Sequence, residues 1–196
     1  PHSACAVASM GEPLSFSDTM VTSTPDLNPI KAFVFCGQGP QHEHMGVHMY
    51  TRFAAFRNSV NASFEMVAKF HKKNFQDEYG LFNPELNGKV AKTDKGDWKV
   101  ECIVIAITIF QIALFDLWVD LGVQPDVVLG HSVGEIAAMY ASGALTHEKA
   151  IRTAIARSNA LSLLDTIDGQ MDALCMSRQE AEQLFQRIMK EIGTDT

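Results

Sequence analysis

The stretch Gly130-His131-Ser132-Val133-Gly134-Glu135 constrains this chain more than any other. An apolar run, Val127-Val128-Leu129, leads into it, and an Ala-rich run over residues 136–141 leads out. Strand, sharp turn with a serine at its tip, helix: this is the nucleophile-elbow arrangement of Gly-x-Ser-x-Gly. The glycines have a steric reason, because a turn this tight leaves no room for a Cβ on either side of the serine. The following helix points its first N–H groups, and the positive end of its dipole, back at the serine, where an oxyanion would form. Ser132 is therefore a candidate nucleophile. The competing reading is a serine that caps a helix in a tight turn.

The surrounding pattern is α/β. Residues 1–29 have little periodicity and read as linker or loosely packed lead-in, with Glu12-Pro13, Thr24-Pro25 and Asn28-Pro29 as breakers. Lys31 to Cys36 reads as a first buried strand, running directly into Gly37-Gln38-Gly39-Pro40-Gln41. Apolar residues recurring at threes and fours predict one helix over 45–70, and residues 71–98 are rich in loop signals. A long, largely buried helix is expected over 100–121, stopped by Gly122. After the elbow, Thr146 or His147 starts another helix that runs to about Leu164. Residues 171–176 alternate as a strand, and Ser177 with Glu180 forms a capping box for a last amphipathic helix. Strands alternating with helices indicate a parallel sheet, in which ligands bind at the carboxyl ends of the strands. Both glycine-bearing turns lie at such ends.

A nucleophilic serine needs a base. The seven histidines are His2, His42, His44, His48, His71, His131 and His147. His131 adjoins Ser132 and points away from the serine tip, and none of the others follows a later strand, where an α/β hydrolase places its histidine. The Gly37–Gln41 turn has two readings. A dinucleotide fingerprint needs G-x-G-x-x-G, but position 42 is His and Pro40 has no N–H. The alternative is a loop whose backbone N–H groups approach a reacting carbonyl beside Ser132. His44 and His48 have i, i+4 spacing, yet the zincin pattern fails because Gly46 stands where its second histidine belongs; solvated histidines are the reading taken, and no metal site is assigned. Lys89, Lys92, Lys95 and Lys99 read as a solvated loop. Arg157 is either a buried arginine with a partner or a surface one, and periodicity does not separate the two.

Bulk properties exclude some classes. The length, 196 residues, suits one domain or slightly more, and 46% hydrophobic content is enough for a core. A net charge of -7 argues against nucleic acid as partner. Four scattered cysteines without C-x-x-C indicate neither zinc nor a disulfide framework, and with them a reducing, cytoplasmic setting. The apolar run 102–114, interrupted by Thr108 and Gln111, is too short to span a bilayer, so no membrane is expected. A start at Pro1 and a polar stop at Thr196 suggest a piece of a larger protein.

Taken together, these residues resemble the acyltransferase family of fatty-acid and polyketide synthases, the malonyl-CoA:acyl-carrier-protein transacylases. The resemblance rests on Phe33-Val34-Phe35-Cys36-Gly37-Gln38-Gly39-Pro40-Gln41 with Met45-Gly46, on Gly130 to Glu135, on Ala156-Arg157-Ser158, and on residues 110–118 with Gly122 to Asp126 behind them. It covers roughly residues 30–196 and is most similar to acyltransferase domains of type I polyketide synthases, with Gly39-Pro40-Gln41-His42 similar to fungal ones. It implies an α/β hydrolase-like parallel sheet with helices on both faces over 30–168, and over 169–196 the start of an inserted ferredoxin-like subdomain. It implies that Ser132 is acylated, that the Gln38 and Val133 N–H groups form the oxyanion hole, and that Arg157 holds the malonyl carboxylate, with Gly37, Gly39, Gln111, His131 and Gly134 in support. Malonyl-CoA is the implied substrate, and the acyl group passes to the phosphopantetheine of an acyl carrier protein, with other synthase domains as further partners and no cofactor bound by the domain itself. The family's catalytic histidine follows the insert, so the chain is expected to be truncated before it and inactive alone. Many members carry a glutamine where this chain has Val104, so that polar neighbour is absent here. The rival functions are a serine esterase or lipase on the same elbow, and a non-catalytic domain that docks carrier proteins.

Overall fold

The computed structural model describes residues 5–7, 15–17, 30–71, 80–82, 98–163 and 174–193. The elements are β1 (Cys5–Val7), β2 (Ser15–Ser17), β3 (Ala32–Phe35), α1 (Val47–Arg52), α2 (Ala54–His71), α3 (Val100–Asp120), β4 (Val127–Gly130), α4 (Gly134–Ala141), α5 (His147–Ser162) and α6 (Arg178–Glu191). β3 and β4 pair in parallel, with Ala32 opposite Val127 and Phe35 opposite Gly130. The expected α/β architecture with a parallel sheet is thus present. The Lys31 N–H and ammonium both bind Asp126, at 2.8 and 3.2 Å, where the chain enters the sheet. That backbone hydrogen bond, with the side chain of Lys31 beside it, holds the Asp126 carboxyl below its ordinary range.

α3 is the central element. Every position from Cys102 to Ile109 is buried, because α2, α4 and α5 all pack on it. By length and composition α3 could cross a bilayer, but 67% of its apolar window is buried inside the protein, which makes it a core helix. It ends in a Schellman motif: Gly122 at φ +80° donates to the Val119 carbonyl, and Val123 donates to that of Trp118. α2 turns Phe56, Val60, Phe64 and Val67 inward at threes and fours. The rings of Phe56, Phe64, Phe82 and Phe110 meet with centroids 5.8–6.4 Å apart. Inner-face residues Phe33 and Phe35 pack toward these helices, Phe33 edge-on to Phe115 and Trp118. On the opposite face of the sheet Val34, Val127 and Leu129 are exposed.

Four expectations need correction or qualification. The single helix over 45–70 is two, broken at Phe53, whose backbone is extended at φ −115° and ψ 117°. At the break Phe53 N still donates to Met49 O at 2.9 Å, and Arg57 Nη1 reaches back to Tyr50 O at 2.9 Å and to Thr51 O at 3.4 Å. The lead-in holds a short antiparallel pair, Cys5–Val7 against Ser15–Ser17. Residues 174–176 form a bend rather than a strand, while the first half of that expected strand, 171–173, lies outside the described residues. Lys89, Lys92 and Lys95 of the lysine loop also lie outside them. The two capping expectations hold: Thr146 Oγ accepts from Lys149 N at 3.3 Å, and Ser177 and Glu180 form the full capping box.

A polar network crosses the helical layer. The Asp116 carboxylate accepts from Ser59 Oγ at 2.6 Å and from Tyr140 OH at 2.8 Å, joining α2, α3 and α4. Nearby, Ser63 gives its hydroxyl proton to the Ser59 carbonyl, so His147 Nε2 is the donor in the 2.8 Å Ser63–His147 pair. Burial pushes His147 below its ordinary pKa, against a smaller opposing pull from Asp116, and burial with the Asp116 bond pushes Tyr140 upward. The unfolded chain therefore binds a proton at His147 more readily than the folded one, so stability falls as pH drops below about 6.5. In urea unfolding of the chain followed by tryptophan fluorescence, the midpoint should fall between about pH 7.5 and about pH 5.5. His147→Gln, which keeps a donor toward Ser63, should flatten that slope.

Candidate active site

The site lies at the carboxyl ends of β3 and β4, where the chain leaves the sheet twice. His131 N donates to Phe35 O at 2.9 Å, so the ladder continues one residue past β4 before the chain turns. Ser132 then takes φ +53°, a left-handed conformation that costs a non-glycine residue energy and persists only where its surroundings enforce it. The enforcement is visible at the flanking glycines. A Cβ on Gly134 would lie 2.2 Å from the Phe35 carbonyl oxygen, and one on Gly130 would lie 2.5 Å from Glu135 Cα. Three short backbone bonds, from Gly134, Glu135 and Ile136 to the carbonyls three residues back, wind the turn into α4.

The second exit is the Gly37–Gln41 loop. Gly37 lies against the elbow: a Cβ there would be 3.1 Å from His131 Nδ1 and 3.2 Å from Ser132 Cβ. Gly39 is at φ +131°, and its N–H donates to Gln41 Oε1 at 2.6 Å. Gln111, from α3, donates through Nε2 to Cys36 O at 2.7 Å and contacts Cys36 Sγ at 3.3 Å, while its own Oε1 is buried without a partner among the described residues. The Gln38 and Val133 backbone N–H groups donate to no acceptor among the described residues.

Arg157, on α5, is a buried-face arginine with a partner. Its Nη2 donates to Ser132 Oγ at 3.2 Å, and its Nε is buried without an acceptor among the described residues. A guanidinium has five N–H donors in a planar fork, so most of this one stays available to a ligand beside the serine. The side-chain partner of Ser132 Oγ among the described residues is thus Arg157 and not a histidine. Of the candidate bases, His42, His44, His48 and His131 are exposed, His71 pairs with Glu101 at 3.0 Å, and His147 is in the Ser63 network. Ser132, Gly37, Gly134, His131 and Arg157 are therefore in one place. Gln111 reaches it through Cys36. Val104 is fully buried in the core. An apolar groove of about 370 Å³ runs beside β3 between Val34, Gln41, Met45, Phe110, Gln111 and Trp118. Sequence reasoning left Gln41 without a role; its one signal was its position two residues after a glycine in a loop beside the serine.

Comparison with known proteins gives the family. The family model described as acyl transferase domain matches residues 32–192, and the chain belongs to that family. Its relatives are polyketide synthases: it is 35% identical, over 88% of its length, to a highly reducing polyketide synthase of Strobilurus tenacellus, of which it spans 6%. Among solved structures it is similar to the acyltransferase domain of the polyketide synthase PpsC of Mycobacterium tuberculosis, with 29% identity and a TM-score of 0.57 over 68% of this chain and 37% of that one. The malonyl-CoA:ACP transacylase of Synechocystis shares the fold at 24% identity, with a TM-score of 0.55 over 69% of this chain and 41% of that one.

Gly134 tests the steric basis of the site. Because the obstructing atoms are backbone carbonyls, Gly134→Ala should cost at least about 2 kcal/mol in chemical unfolding, at the upper part of the overpacking range. Gly143→Ala, at a φ of +79° with open space around it, should cost about 1 kcal/mol through backbone strain alone.

Proposed function

We propose that the chain carries the nucleophile and the carboxylate-binding arginine of an acyltransferase that loads a malonyl group from CoA and passes it to an acyl carrier protein in polyketide synthesis. The observation that carries this reading is the Arg157 guanidinium 3.2 Å from Ser132 Oγ. An esterase acting on neutral esters has no use for a cation there. A malonyl thioester places a free carboxylate one methylene away from its reacting carbonyl, within reach of the fork while the carbonyl sits over Ser132.

In this reading Ser132 Oγ attacks the thioester carbonyl, the C–S bond breaks, and CoA leaves as its thiol. The malonyl-serine ester is then attacked by the phosphopantetheine thiol of the carrier protein, which restores the serine. The Gln38 and Val133 N–H groups, without acceptors among the described residues, hold the oxyanion in both steps. In this reading the base that takes the Ser132 proton is a histidine, and none among the described residues hydrogen-bonds to Ser132 Oγ. No bound cofactor enters either step.

In the full-length synthase, Ser132→Ala should abolish radiolabelling of the acyltransferase domain by malonyl-CoA; surviving label on that domain would refute the acyl-serine route. Arg157→Ala should lower kcat/KM for malonyl-CoA relative to acetyl-CoA by about 10- to 100-fold, the loss expected from charge-assisted hydrogen bonds. Unchanged selectivity would make Arg157 a structural residue. Carrier-protein acylation in excess of hydrolysis separates transferase from esterase.

A further inference from the structure

The Gln38 N–H belongs to the Gly37–Gln38 peptide plane. A plane next to a glycine flips easily, because glycine populates both signs of φ. Here the planes on either side are each held by a glutamine side chain. The Cys36–Gly37 plane is held through its carbonyl by Gln111 Nε2 at 2.7 Å. The Gln38–Gly39 plane is held through its N–H by Gln41 Oε1 at 2.6 Å. Pro40 stands between Gly39 and Gln41 with its φ fixed by its ring, which limits where the Gln41 side chain can start from. Gly37 is also pressed against His131 and Ser132, which leaves the loop little room to move as a body.

We infer that Gln41 is a positioning residue for acyl transfer: its side-chain oxygen pins the Gln38–Gly39 peptide, and with Gln111 at the other end it aims the Gln38 N–H at the carbonyl over Ser132. The inference rests on the acyl-serine reading above and extends it to a residue outside the reacting groups. Gln41 touches neither substrate nor serine in this role. An oxyanion donor works only within a narrow range of distance and direction, so a freed plane weakens it without removing it. Gln111 anchors the same loop but is buried in the core, so its replacement would mix positioning with folding. Gln41 is only half-buried and its bond is at the surface, which makes it the residue to test.

The test uses the full-length synthase with three variants. Gln41→Met removes the acceptor at similar length; Gln41→Glu keeps an acceptor oxygen at the same reach; Ser132→Ala is run in parallel. Malonyl-CoA labelled with carbon-13 at the thioester carbonyl supplies the acyl group. Gln41→Met should lower the rate of acyl-enzyme formation roughly 10- to 100-fold with KM for malonyl-CoA unchanged, as for a misdirected catalytic group. The infrared stretch of the labelled acyl-serine carbonyl should move to higher wavenumber as its hydrogen bond weakens, a shift that a general loss of stability does not produce. Gln41→Glu should restore most of the lost rate and move the stretch back. An unchanged stretch and rate in Gln41→Met, or a Gln41→Glu as impaired as Gln41→Met, would overturn the inference while leaving the acyl-serine reading intact. Acylation that survives Ser132→Ala would overturn that reading and take the inference with it.

Discussion

The structure depends on a backbone approach that admits no side chain. Gly134 sits on the carbonyls of Phe35 and Cys36, at the point where β3 ends and the other functional loop begins. Because β3 and β4 run in parallel, both loops leave the sheet at the same end. Only the missing Cβ lets the start of α4 come close enough to put Ser132 against Gly37. The strained φ of Ser132 is held by the same contact, since a turn that relaxed would have to lift α4 off β3. The site is thus a consequence of topology and of two hydrogens where methyl groups would otherwise be.

α3 supports this arrangement from beneath and does so with few polar groups. Thr108 satisfies its hydroxyl on the Val104 carbonyl of its own helix. Gln111 ties α3 to the end of β3, and Asp116 ties it to α2 and α4. A helix buried nearly all round has many rotations of similar apolar burial. Polar groups that must each meet a specific partner leave one of them, because an unpaired buried polar atom costs about 1–3 kcal/mol. The polar residues of α3 thereby set its register against the site, while the apolar ones supply the bulk of its burial.

Much of this was legible in the residues. The elbow, the two parallel strands with the long helix between them, the Gly122 stop and the Ser177–Glu180 cap are local patterns, and local patterns determine them physically. The pairing of Arg157 with Ser132 was open from periodicity, because a helix face is decided by what packs on it 25 positions away in sequence. The break at Phe53 was hidden for a similar reason: an aromatic residue fits the helical spacing, and the compensating reach of Arg57 is visible only in three dimensions. The bend at 174–176 shows the limit of alternation as a signal, since alternation over six residues does not by itself supply a pairing partner. His147, placed at a helix start, is in fact tied to Ser63 across the helical layer, a long-range pair that no spacing announces.

The bare side of the sheet has a practical meaning. Val34, Val127 and Leu129 line one face of two strands whose other face is packed, and Val34 is 70% exposed. Water is a poor solvent for such a surface, and two strands with an open apolar side are a template for sticking to further chains. How well the molecule stays dispersed is therefore governed by what lies on that face, and not by the chemistry at the strand ends. Solubility and the proposed acyl transfer belong to two different places on the same pair of strands. A preparation that precipitates says something about the cover of the sheet and nothing about Ser132.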